Sequence, residues 1–494
     1  MADLKINDNQ SAIIQTFYLS PVWNFFYLFV DQQNQHIFIT NDYGQTFKRN
    51  RLPFAPKTFQ LHPTEHNLIL AQSSNDVLFV SEDFGFTWQI IHSNSTGYFT
   101  WTVPKIDPAI DFRTIFAQRF EPNGLSSLIA FSSDHHLKHH SVHTWLTDVE
   151  KVSIKNRFIF ATRRKNLYTH SINKSANMLE FWISIDRQPF FKVQILETDF
   201  GDSLKPVNYF IVDITDVAIF LCITYQNGQT NLYISNADFD KFSLSLDNVV
   251  FYHPEYSGHI PGLHYEISKD QEFADIHRIA GIRGTYIISK WKNLQRKSIS
   301  DIITLITFDM GNRWHTLKPP TKDAFGHPIA CNITHNNCSL HLTQRYLSMN
   351  SNSKPILTRE SSVGFILATG VLGDSLKGKQ NLYLSLDAGN TWRQILTGNY
   401  LYAFGDFGSI IVAVEHFSKA GPTNELYYSI DDGYSFTLFK FHPNKIRVYG
   451  LLTEPGEKTA SFTIFGSAEK RHEWIVIQVC SNFFQSKAIS SLMN

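Results

Sequence analysis

The chain has 494 residues, 43% hydrophobic and 18% charged, which supplies apolar mass for a buried core and excludes intrinsic disorder. Its 44 basic and 44 acidic side chains cancel, so nothing global steers it to nucleic acid or to an acidic membrane surface. Phe 41 and Tyr 20 against Met 5 favour strands; no apolar run is long enough to cross a membrane as a helix, and the polar start MADLKINDNQ has no signal-peptide pattern.

In chain order, the predicted elements repeat. An apolar strand ends in Ser or Thr, an Asp follows two residues on, a Gly two further and an aromatic three beyond. Full copies are HIFITNDYGQTF (Asp42), VLFVSEDFGFTW (Asp83), LITFDMGNRW (Asp309), LYLSLDAGNTW (Asp387) and LYYSIDDGYSF (Asp431). LIAFSSDHH (Asp134), FWISIDRQPF (Asp186) and LYISNADFDKF (Asp238) keep the strand and part of the turn, and SFTIFGS with EWIVIQV closes the series. Successive aspartates are 41, 51, 52, 52, 71, 78 and 44 residues apart, the range of a four-stranded propeller blade with loop insertions. The expected fold is all-β: a large β-propeller of four-stranded antiparallel blades, about nine units visible. A carboxylate that accepts backbone N–H groups, a Gly at positive φ and an aromatic plug between blades make this Asp-box a structural fastener. Its five aspartates are therefore read as stability residues, neither catalytic nor metal-binding.

Between the repeats, Lys48, Arg49 and Arg51, and then Arg163, Arg164 and Lys165, form short basic clusters read as solvated turns. The run HHLKHHSVH (His135, His136, His139, His140, His143) reads as a solvated loop; the alternatives are a metal site, for which no acidic or cysteine ligand accompanies it, or a sensor of endosomal pH. Cys222, in the apolar run IFLCITY, reads as a buried inert thiol. Cys331 and Cys338, in CNITHNNC, suit a small disulfide-closed loop in an oxidising compartment. Asn94, Asn173 and Asn332 open N-glycosylation sequons.

IITLITFDMGNRWHTLKPP with CNITHNNCSLHL at 302 to 342 resembles the sortilin family of vacuolar-protein-sorting (Vps10) receptors. So do GSIIVAVEH, TNELYYSIDDGYSF and YGLLTEPGEKTASFTIFGS at 408 to 467. TNLYISNADFDKFSLSLDNVVFY at 230 to 252 points to the sortilin-related, SorLA-like branch. The resemblance covers nearly the whole chain. It implies a ten-bladed luminal propeller head and a bridge between Cys331 and Cys338. It places residues 1–11 as a polar tail, 12–480 as the propeller and 481–494 as the start of a region where the family has a Cys-rich module. The family's signal peptide, basic propeptide, first blade and membrane span have no counterpart in this chain, so any membrane attachment is expected through a segment absent here.

The same resemblance implies a sorting and endocytic receptor of Golgi, endosome and cell surface that binds extended peptides or protein cargo in the propeller tunnel, with propeptide-like, neuropeptide-like or lipoprotein-type ligands. In ADIHRIAGIRGTYIIS, Arg283 aligns with the arginine that takes a peptide's C-terminal carboxylate; the bland alternative is a strand-end arginine facing solvent. Tyr286 is expected to face differently. A long insertion from Ser339 to Ser362 carries Tyr346, Leu347 and Met349 as ligand-facing tip residues, or else is a surface loop without a partner. No enzyme, cofactor or metal is expected: GxSxG, HExxH and the phosphate-cradling GxxxxGK[ST] are absent, and Glu454 and Glu457 sit in a Pro-Gly turn. The rival readings are a scaffold propeller that binds a protein on its flat face, and a sialidase-like glycosidase.

Overall fold

The computed structural model describes residues 4–7, 10–22, 25–65, 67–102, 114–122, 124–133, 140–165, 178–196, 205–254, 272–331, 334, 337–345, 355–416, 421–454, 458–468 and 474–479. The chain divides into two compact units, Met1–Gln194 and Ile195–Asn494. Both are all-β and built from antiparallel meanders in which sequence neighbours are sheet neighbours, the blade architecture of a β-propeller.

In the first unit a short hairpin, Lys5–Asn7 with Gln10–Ser11, precedes two four-stranded sheets. One is Thr16–Leu19, Tyr27–Asp31, His36–Thr40 and Lys48–Arg51. The other is Pro56–Leu61, Ile69–Ser73, Leu78–Ser81 and Gln89–His92. Seven strands follow as one continuous sheet because the strand His140–Lys155 serves two meanders. Its first half pairs with Ser126–Ser133 and its second with Phe158–Lys165, and the hinge is Asp148, at φ 58°.

The second unit holds five successive meanders, which begin at Pro206–Ile214, Ile276–Arg278, Ser339–Leu342, Tyr400–Gly405 and Ile446–Thr453. The third of these is unusual. The twelve-residue strand Ser362–Gly373 is covered on one edge by two segments, Ile356–Arg359 along its first part and Ser339–Leu342 along its last. The stretch 339 to 362, expected to be an inserted loop, is thus strand at both ends.

Within each unit, apolar side chains seal neighbouring sheets together. Leu28 and Ile37 of the first sheet pack with Phe59 and Ile69 of the second. Ile287 and Ile306 pack with Ile366 and Tyr383, and Val412 and Leu426 with Val448 and Phe462. A strand between two such layers is apolar on both faces. Ile219–Tyr225 is buried at all seven positions, whereas Trp474–Val479 alternates. Burying a ring as completely as Phe404 or Phe462 stabilises by roughly 2–3 kcal/mol, which makes these seams the main cohesive term.

His341 sits in one seam at 1% exposure. Its Nδ1 accepts the backbone N–H of Thr304 at 3.1 Å and its Nε2 lies 3.2 Å from Ser339 Oγ. Burial pushes its pKa down to about 4, only partly opposed by the Gly373 carbonyl.

Candidate functional site

The five aspartates of the repeat make one and the same turn. At Asp387, Ser385 Oγ donates to Oδ1 at 2.9 Å, and the N–H and hydroxyl of Thr391 donate to Oδ1 and Oδ2 at 2.8 and 2.6 Å. Gly389 N–H closes onto Ser385 Oγ at 2.8 Å, and the Trp392 indole donates to Gly389 O at 3.0 Å. Asp42, Asp83, Asp309 and Asp431 repeat the hydrogen bonds to Oδ1. Burial opposes ionisation, but these donors outweigh it and hold Asp83, Asp309, Asp387 and Asp431 below the usual carboxylate range. At Asp42 the Thr46 hydroxyl leads and the value falls to about 2.

Two consecutive residues of each turn are left-handed, as with Ala388 at φ 60° and Gly389 at φ 93°. The glycine also abuts the preceding sheet, since a Cβ on Gly389 would lie 2.6 Å from Ile306 Cδ1. The turns of Asp83, Asp309, Asp387 and Asp431 therefore tie one blade to its neighbour, whereas Gly44 faces Phe47 of its own turn. Among the described residues no group of three or more His, Cys, Asp or Glu could hold a metal, and no helix is long and apolar enough to cross a membrane.

Arg283 is built by a second glycine-dependent turn. Between Ile276–Arg278 and Tyr286–Trp291 the chain reverses through Ile279–Thr285, closed by Ile279 N–H on Thr285 O at 3.0 Å. Gly281 and Gly284, at φ 73° and 79°, flank the arginine. A Cβ at Gly281 would meet Val363 Cγ2 at 2.9 Å, while Met310, inside the Asp309 turn, donates its N–H to Gly284 O at 2.9 Å. The hairpin is thus clamped from below by its own sheet and from the side by the next. His277 Nε2 is 2.9 Å from Thr358 Oγ1, adding a polar tie. Arg283 itself is exposed and makes no hydrogen bond or ion pair with any described residue. It lies in the turn rather than on the strand, whereas Tyr286 is 1% exposed.

Sequence reasoning missed Asp213 and Arg278, and the hydrogen bond that ties Tyr286 to the first of them. Asp213 Oδ1 accepts its neighbour Ile214 N–H at 2.8 Å, Oδ2 accepts the Tyr286 hydroxyl at 2.7 Å, and Arg278 Nη1 stands 3.5 Å from Oδ2. The signal was an acid in the otherwise apolar strand YFIVDI, but its partners lie 65 and 73 residues away. Burial first, and Asp213 second, push the Tyr286 phenol up, so it stays a donor.

Cys331 and Cys338 form a disulfide. Cys222 is free, 1% exposed, and burial pushes its thiol up. Tyr346, Leu347, Met349, Asn173, Asn332, Glu457, Asp134, His135, His136 and His139 lie outside the described residues. Asn94 is exposed at φ 66°. The basic clusters and the end of the histidine run differ from the turns and loop expected. Lys48, Arg49 and Arg51 lie on one strand, and Arg163, Arg164 and Lys165 on another, where Arg164 pairs with Glu150 at 2.8 Å. His140 and His143 belong to the long two-meander strand, whose pairing with Ser126–Ser133 overrides their polar local composition.

A family profile described as "Sortilin, neurotensin receptor 3" matches residues 3–451. The chain is 36% identical over 480 residues to a sortilin-related receptor of Oryctolagus cuniculus, covering 96% of this chain and 21% of that receptor. It is 25% identical to the VPS10 domain-containing receptor SorCS2 of Homo sapiens, over 96% of this chain and 38% of that one. It thus spans well under half the length of these relatives. Among solved structures, a GH74 enzyme of Niastella koreensis aligns over 94% of this chain and 71% of that one, at 12% identity and TM-score 0.34, too loose a likeness to bear on function.

Proposed function

The chain belongs to the sortilin-Vps10 family, and from that premise we propose that it is the cargo-binding part of a sorting receptor, taking extended peptides or peptide segments of protein cargo inside a propeller tunnel. On this reading it works on the luminal or extracellular side of Golgi, endosome and cell-surface membranes, attached through parts of the receptor beyond this segment.

One observation carries the reading: Arg283 is an exposed, uncommitted guanidinium held by a rigid double-glycine turn. A free cation on a mobile side chain is unremarkable on a surface, but here its backbone is fixed by contacts to two sheets, so the ordering cost of binding is already met in part. A peptide's terminal carboxylate accepts two N–H bonds from such a fork. Strand edges next to the turn can pair with the peptide backbone, while side chains supply selectivity. Tyr346, Leu347 and Met349 are proposed as further apolar contacts, and Asn94, Asn173 and Asn332 as glycan carriers.

The test is calorimetric titration with matched peptides that end in a free carboxylate or in an amide. Amidation and Arg283→Ala should each weaken binding by about tenfold or more, and together by no more than either alone. Equal affinity for amide and acid would overturn the proposal. A scaffold propeller would instead bind a folded partner and ignore both changes.

A further inference from the structure

We infer that Arg278 is a second anion-recognition residue of this site, reading an acidic side chain upstream of the bound peptide's terminal carboxylate. The inference rests on the peptide-binding reading above and deepens it to a substrate class: peptides that carry an Asp or Glu close to a free C-terminus.

Arg278 ends the strand Ile276–Arg278 and stands opposite Tyr286, so it lies at the same end of the hairpin as Arg283. Its side chain is 51% exposed, and its ion pair among the described residues is with Asp213 Oδ2 at 3.5 Å. That is longer than the ~2.8 Å of a good charge-assisted bond. Asp213 does not depend on it, because both carboxylate oxygens already have shorter donors: Ile214 N–H at 2.8 Å and the Tyr286 hydroxyl at 2.7 Å. The acid therefore holds Arg278 loosely, biasing the guanidinium's position while leaving most of its N–H groups unspent.

The charge along the hairpin itself, after Asp275, supports the same conclusion. From Ile276 to Trp291 the chain contains no Asp or Glu. Of its three Arg and Lys residues, Lys290 is already paired with Asp247 at 2.5 Å, which leaves Arg278 and Arg283 as the two cations at the turn end. An extended peptide advances about 3.3 Å per residue, so a terminal carboxylate on Arg283 brings an acidic side chain among the last few residues within reach of a second arginine on the same hairpin.

The experiment uses nine-residue peptides with a free carboxyl terminus in which Glu or Gln is scanned through the second to fifth positions from the end. The wild-type protein should prefer Glu by about tenfold at one position. Arg278→Gln should abolish that preference and keep the dependence on a free terminus. Asp213→Asn keeps an oxygen to accept Ile214 N–H, turns its amide N–H toward the Tyr286 hydroxyl, which then accepts, and removes the competing charge, so it should preserve or increase the preference. The inference is overturned if no position prefers Glu, if Arg278→Gln leaves the preference intact, or if Asp213→Asn removes it. Failure of every peptide to bind, or indifference to the free terminus, sinks the peptide-binding reading and this inference with it; loss of the Glu preference alone sinks only this inference.

Discussion

The turn around Asp387 and the one around Asp186 start from similar strands, LYLS and FWIS, and end differently. At Asp387 the Ser385 hydroxyl and the N–H and hydroxyl of Thr391 converge on one carboxylate, and the following Gly389 lies against Ile306 of the preceding sheet. At Asp186 the motif glycine is missing and Gln188 stands in its place. There Ser184 Oγ bonds the carbonyl of Gln188 at 2.6 Å, and the aspartate turns outward to Arg157 at 2.5 Å. Both turns keep two left-handed residues, Asp186 and Arg187 in the second case. The backbone reversal is therefore not what the full motif adds. Its particular contribution is a side-chain-free surface that lets one sheet approach the last.

Substitutions should separate the two. Gly389→Ala places a Cβ 2.6 Å from Ile306 Cδ1 at a φ of 93°, and should cost about 2–4 kcal/mol in urea unfolding of the second unit. Asp387→Ala removes the acceptor of Ser385 and Thr391 while solvent reaches part of the turn, so a loss of about 1–2 kcal/mol is expected. Asp186→Asn breaks an exposed ion pair and should stay within about 0.5 kcal/mol. If Asp186→Asn matched Asp387→Ala, the distinction would collapse.

Acid sharpens the contrast from another side, with an effect of the same order as the loss of the Asp387 carboxylate. The motif aspartates have folded values below 3.8, so their contribution is present above that pH and fades only below it, toward about 2 for Asp42. His341 behaves oppositely. Its folded value near 4 lies below the 6.5 of a free imidazole, so the unfolded chain takes up the proton first and stability falls as pH drops from 6.5 to 4. The loss at pH 5.5 is on the order of 1 kcal/mol. Unfolding followed across this range should show that slope in the wild type and lose most of it in His341→Gln. A remainder from His92, also held down by burial and then by Arg119, is expected. An unchanged slope in the variant would remove His341 as its source.

Much of the fold was legible because its repeat is local: strand, Asp, Gly and aromatic fall within a dozen residues. Less was legible where local composition lost to pairing. The positive-φ residue before each motif glycine is Tyr43, Phe84, Met310, Ala388 or Asp432, a set with no common chemistry. His140 and His143 look like loop residues, yet the ladder to Ser126–Ser133 holds their backbone extended. At the candidate site Arg283 stood out through the family resemblance of the segment around it. The Asp213, Tyr286 and Arg278 contacts did not, because they join strands of two different sheets.

The doubly covered edge of Ser362–Gly373 has a consequence for grafting. Gln344 is anchored to Ser289 at 3.0 Å, and Pro355 O accepts the Tyr402 hydroxyl at 2.5 Å, so the sequence from Arg345 to Pro355 enters and leaves through fixed posts. A graft that keeps Gln344 and Pro355 keeps both posts, and with them the ladders of Ser339–Leu342 and Ile356–Arg359 on Ser362–Gly373.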